Sequence, residues 1–174
     1  MKTLLISAGH STKDPGAAGN GYTEADIVTE LRNIVSFYLW RAAIPHIVDS
    51  DSITKNLPLA QAIELARKVD IAVEFHCNAS SNPAATGVET LSGPADMAQG
   101  KAICAAIAKV LGIKNRGAKA EASGQHSRLG FVRAGGLIVE LFFISNPNDV
   151  AVYQAKKWLV GKAIADVLIK EATS

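Results

Sequence analysis

Thr3-Leu4-Leu5-Ile6-Ser7-Ala8-Gly9-His10 decides the architecture. Thr3 to Ser7 is a run of β-branched residues and leucines, which predicts a strand in the middle of a sheet. Ala8-Gly9 ends it, so His10 emerges at its carboxyl end. A polar, glycine-rich loop from Ser11 to Tyr22 follows. Thr23 then stands three residues before Asp26 in the pattern of a capping box, and Ile27, Leu31, Ile34, Tyr38 and Leu39 recur at helical spacing. Glu24 therefore falls in the first turn of a long amphipathic helix.

The alternation continues outward. Pro45 separates that helix from a short strand around His46 to Val48, and Leu57 to Lys68, opened by Pro58, reads as a second helix. Asp70 to Cys77 reads as a buried strand with His76 near its end, and the two-residue period of a strand puts Glu74 and His76 on one face. Gly87 to Leu91 predicts a further strand. Ala95 to Leu111 is an alanine-rich helix stopped by Gly112, Leu137 to Phe143 is an apolar strand carrying Glu140, and Asp149 to Glu171 is the last helix. Strands alternating with helices predict an α/β three-layer sandwich, with a mixed, mostly parallel central sheet of about six strands and helices on both faces. In such sheets ligands collect beyond the carboxyl ends of the strands, where His10 and His76 are expected.

Composition narrows the function. With 174 residues, 48% of them hydrophobic, the chain suits one domain over 1–174. A net charge of +2 gives no argument for nucleic acid as a partner. No apolar run reaches the length of a membrane span, so no integral membrane segment is expected. Met1 to Ala8 lacks a long hydrophobic region and a cleavage site and reads as a strand, not a signal peptide, so synthesis in the cytoplasm is expected. Cys77 and Cys104 fit neither a disulfide framework nor a paired-cysteine metal motif.

Four residues stand out: His10, Glu24, His76 and Glu140. Two imidazoles and a carboxylate can hold zinc with one position left for water, and a second carboxylate can move a proton. Each has a plainer alternative. A histidine at a strand end often only hydrogen-bonds backbone, and Glu140, flanked by Leu137, Ile138, Val139, Leu141 and Phe142, could be a buried carboxylate paired with Arg133. His46 is expected to be structural or exposed. His126, in the polar loop Glu121 to Leu129, could face a substrate or solvent; Arg128 and Arg133 could bind carboxylates or lie on the surface.

Three segments in order resemble the zinc-dependent N-acetylmuramoyl-L-alanine amidases of type 3. They are Ala8-Gly9-His10 with Asp14-Pro15-Gly16-Ala17, Gly21, Glu24 and Asp26; Phe75-His76-Cys77-Asn78-Ala79 with Gly87-Val88-Glu89; and Val139-Glu140 with Phe143-Ile144-Ser145-Asn146. The resemblance implies Zn2+ on His10, Glu24 and His76, with Glu140 as the catalytic carboxylate. It places Asn78 in the site, and Arg116-Gly117-Ala118-Lys119 resembles a short segment preceding the family's substrate loop. Departures from the pattern are Ser11-Thr12 after the first histidine, Asp49-Ser50 in place of a threonine-arginine pair, and Glu74 where many relatives have serine. Glu74 either orients a ligand imidazole or pairs with a lysine away from the metal.

The implied activity is hydrolysis of the bond between N-acetylmuramic acid and L-alanine in peptidoglycan. The implied setting is a monomeric, single-domain phage endolysin, or else a bacterial autolysin, without a wall-binding module. It would act at the cell wall after export through a separate pore-forming protein. The short interval between His76 and Glu140 implies an enzyme without an inhibitory helix. Competing readings are a zinc hydrolase of similar fold acting on a soluble peptide or amino-acid amide, and a non-catalytic peptidoglycan-binding module.

Overall fold

The computed structural model describes residues 1–11, 13–49, 58–123 and 129–174. The elements are β1 (Leu4–Ala8), a two-stranded ribbon of β2 (Ala18–Gly19) and β3 (Tyr22–Thr23), α1 (Glu24–Arg41), β4 (His46–Val48), α2 (Leu59–Ala66) and β5 (Ile71–Asn78). They continue with β6 (Val88–Ser92), α3 (Met97–Leu111), β7 (Asn115–Ala120), α4 (Gly130–Arg133), β8 (Gly136–Phe143) and α5 (Pro147–Thr173). The main sheet has six strands in the order β4-β1-β5-β8-β6-β7. Its one antiparallel pairing is β6 with β8. This is the expected mixed, mostly parallel sandwich.

Local signals place the elements. Thr23 caps α1 by accepting from the Asp26 amide, and its hydroxyl donates to the Asp26 carboxylate. Gly112 closes α3 at φ +72°, a conformation that costs glycine little. Asn146 caps α5 by accepting from the amides of Asn148 and Asp149, with Pro147 in the first turn.

Strand alternation divides the sheet into two unequal faces. Leu4, Ile6, Val73, Phe75, Leu137, Val139 and Leu141 point to a large core beneath α1, α3 and α5. Each such fully buried aliphatic or aromatic side chain contributes roughly 1.5–3 kcal/mol relative to exposure. The other face carries Leu5, Ala72, Leu91 and Ile138 against a smaller core from α2 and α4. Among the described residues only those two short helices cover this face, and its apolar core stops short of the carboxyl-terminal half. Polar residues occupy it: Ser7, Glu74, His76, Glu140 and Glu89 follow the same alternation.

β7 was not expected as a strand. Asn115-Arg-Gly-Ala-Lys-Ala has no apolar alternation because it is the sheet's edge, where one row of backbone groups and much of the side-chain surface face away from the core.

Candidate active site

His76, Glu140 and Glu89 form one transverse row, since His76 pairs with Glu140 across β5 and β8, and Glu140 pairs with Glu89 across β8 and β6. Residues in such a row project from the same face. His10 reaches this face from the end of β1, and Glu24 from the first turn of α1. The chain between them folds back through the β2–β3 ribbon and through bonds from the Glu24 amide to the Ala17 carbonyl and from the Ala25 amide to the Pro15 carbonyl.

The donor atoms of His10, Glu24 and His76 lie within 4.8 Å of one another. Nε2 of His10 is 3.2 Å from Oε1 of Glu24, and Nδ1 of His76 is 3.1 Å from the same oxygen. Two tetrahedral zinc ligands at about 2.0–2.1 Å from the metal sit about 3.3 Å apart, so the trio has the spacing that a zinc ion requires. Both rings are oriented from behind. Nδ1 of His10 is 3.2 Å from Oδ2 of Asp14, and Nε2 of His76 is 3.0 Å from Oε1 of Glu74. With the outer nitrogens donating to carboxylates, the inner ones face Glu24 and, once deprotonated, would present lone pairs to a metal. Glu24 is itself fixed by the amides of Ala17 and Cys77, which donate to Oε2 and Oε1 at 3.0 and 2.9 Å.

Two glycines make room for the trio. A Cβ at Gly9 would stand 2.0 Å from Nε2 of His76. One at Gly16, where φ is +68°, would stand 2.6 Å from Oε2 of Glu24 and 2.8 Å from the His10 ring. The site is a cradle that any side chain would fill.

Electrostatics separate the two key glutamates. Burial would raise the Glu24 carboxyl, but hydrogen bonds from His10 and His76 outweigh it and hold Glu24 well below the usual carboxylate range. Glu140 has no such donors: burial pushes it up to about 7, partly countered by the nearby His76. Among the described residues its Oε2 has no hydrogen-bond partner and is shielded from solvent, an orphaned polar atom on a residue that lines the same cleft as His10, Glu24 and His76. A carboxyl poised near neutrality can both accept and return a proton.

Most of the expected residues converge on one cleft of about 760 Å³: His10, Glu24, His76, Asn78 and Glu140 line it. Glu74 lies behind His76 and bonds it, with no lysine pairing with Glu74 among the described residues. Arg133 stands apart from these residues. It pairs with Glu121 at 3.2 Å on the exposed side of α4, outside the cleft lining and away from Glu140, because the four-residue helix carrying it packs only its Phe131 and Val132 inward. His126 and Arg128 lie outside the described residues. His46 is structural, contacting the Ser36 hydroxyl and the Ile44 carbonyl.

Three features escaped sequence reading. Asp14 orients His10, and its i, i+4 spacing was the available signal. Arg116 and Lys119 enter the cleft from β7. A fully buried chain runs behind Glu74: Ser7 Oγ contacts Oε2 of Glu74 at 3.1 Å and Oδ2 of Asp49 at 2.8 Å, and Arg32 donates to Oδ1 of Asp49 at 3.1 Å.

This fold and trio fit an amidohydrolase, and comparison with known proteins names the family. Residues 4–170 match the model of the type 3 N-acetylmuramoyl-L-alanine amidase family, so the chain belongs to it. It is 31% identical over 170 residues to an endolysin of Bacillus phage SPP1, and 26% identical over 166 residues to the N-acetylmuramoyl-L-alanine amidase LytC of Bacillus subtilis. Those alignments cover 91% and 89% of this chain but 60% and 33% of the relatives, so the chain spans less than two thirds of their length. A crystal structure of a protein assigned as an N-acetylmuramoyl-L-alanine amidase from Neisseria meningitidis superposes with a TM-score of 0.89 at 40% identity, covering 98% of this chain and 95% of that one.

Proposed function

We propose that this protein hydrolyses the amide bond between N-acetylmuramic acid and the L-alanine of the peptidoglycan stem peptide. The observation that carries the reading is the orphaned Oε2 of Glu140, a residue next in its row to His76 and lining one cleft with a donor set of zinc spacing. His10, Glu24 and His76 would hold Zn2+. When bound, zinc supplies Lewis acidity, polarising a carbonyl and making a neighbouring water a stronger acid.

The chain's own residues do the rest. Asp14 and Glu74 keep the two imidazoles facing inward, and Glu24 remains ionised across the neutral range. Glu140 accepts a proton from the attacking water through its orphaned oxygen and delivers it to the departing alanine nitrogen. Asn78, which donates to Oε1 of Glu89 at 3.1 Å on the cleft wall, is available to orient substrate.

The family and the phage relative support a role as an endolysin that acts at the cell wall of a bacterial host. Among the described residues no helix is long and apolar enough to cross a membrane.

The test is incubation of purified muropeptides with zinc-loaded wild type and with Glu140→Ala. Stem peptide beginning with free L-alanine is expected from the wild type alone. Release from both proteins, or from neither, would defeat the reading.

A further inference from the structure

β7 pairs with β6 through an irregularity in register: Val88 faces Asn115, yet Glu89 faces Gly117, leaving Arg116 as an extra residue. Gly117 adopts φ +83° at this point. Regular alternation would send Arg116 and Lys119, three residues apart, to opposite faces of the sheet. The bulge re-aims Arg116, so both cations enter the cleft and reach the same oxygen, Oε2 of Glu89, at 2.5 and 2.6 Å.

Glu89 is almost fully buried and cannot neutralise both partners, so the group carries one net positive charge. The Arg116 guanidinium also lies over the Phe143 ring, 5.0 Å from its centroid, which holds it in one plane. Glu89 engages Nε of Arg116 and one ammonium proton of Lys119, so further guanidinium and ammonium donors remain on two residues that line the cleft. We infer that Arg116 and Lys119, braced on Glu89, form a carboxylate-binding subsite for the peptide side of the substrate.

The assignment rests on the proposed amidase reading, and substrate chemistry fixes the side. The muramic acid carboxyl is consumed in the scissile amide, so at that unit the glycan is uncharged and carboxylates occur on the peptide. Distance fixes the position. Glu89 stands two strands from His76 in their common row, about 10 Å away. Two extended residues span roughly 7 Å, so the group in reach is the α-carboxylate of the residue after the alanine. The subsite favours that group as a free carboxylate over its carboxamide, which offers the cations a neutral acceptor and no ion pair.

The experiment uses two muropeptides that differ only in carboxylate or carboxamide at that position, together with the two corresponding free stem peptides as calorimetric ligands. Wild type is expected to favour the carboxylate form by about tenfold in kcat/KM and in Kd, the size of one charge-assisted hydrogen bond. In Lys119→Met and Arg116→Gln the ratio should fall to within about twofold; a ratio taken within each variant cancels any loss common to both substrates. Equal handling of the two forms by wild type, absence of binding to either peptide, or a ratio that survives both substitutions overturns the subsite. Peptide discrimination in binding without any cleavage would leave the subsite standing and remove the amidase reading instead.

Discussion

Glu74 holds the outer nitrogen of His76 from two positions back on the same strand, Oε1 to Nε2 at 3.0 Å, while the inner nitrogen of that ring faces Glu24. A carboxylate in this position fixes the tautomer and makes the imidazole a better donor to a metal. Glu74→Ala is therefore expected to lower zinc affinity by about 10–100-fold, measured by competition with a chromogenic chelator. An affinity within twofold of wild type would show that Glu74 has no part in orienting the ligand.

Behind Glu74, Arg32 and Asp49 form a fully buried ion pair. Removing the cation leaves Asp49 charged and dry, so Arg32→Met should cost on the order of 3–5 kcal/mol in urea unfolding at neutral pH. Burial already raises the Asp49 carboxyl, and loss of Arg32 raises it further. The folded state then binds more protons than the unfolded state, so the variant's stability falls more steeply than wild type as pH rises from the acid range. Asp49→Asn in the same background should recover most of the loss; no recovery would argue that the arginine acts through packing alone.

Gly9 and Gly16 set the room left around His10, Glu24 and His76. In Gly9→Ala the new methyl overlaps the His76 ring, and the cheapest relief is for that ring to swing away from Glu24. The expected result is lost zinc binding with a near-native circular dichroism spectrum. Gly16→Ala adds the strain of positive φ, about 1–2 kcal/mol, to a clash with Glu24 and His10, so it should lose both metal and stability. Stoichiometric zinc in either variant would contradict the cradle.

Glu140 makes metal-free stability depend on pH. Its carboxyl is raised from 4.5 to about 7 by burial, so the folded state holds a proton that the unfolded state releases between those values. Stability is unaffected below about pH 4.5, declines as pH rises from there to 7 and levels off above it, with a total loss on the order of 3 kcal/mol. Glu140→Gln should remove this decline. It would make the metal-free protein more stable than wild type at pH 8 and abolish peptide release; equal urea midpoints at pH 8 would contradict the buried, unpaired carboxyl.

Local sequence was enough to determine where most elements begin and end. β1 and β5 are apolar runs, Thr23 and Gly112 are caps that work through their own neighbours, and His10, Glu24 and His76 sit at ends that those signals define. The motifs around them carried the family. Three things depended on contacts between residues far apart in sequence. Glu140 and Glu89 share a row with His76 only because β8 lies between β5 and β6 in the sheet. Arg116 joins Lys119 only because an edge strand bulges, which no apolar pattern records. Arg133 is drawn to Glu121 and not to Glu140 because α4 turns it outward. Periodicity fixes which face a side chain takes along its own strand, whereas strand order and register decide which charges meet across the sheet, and those are set only when the whole core packs.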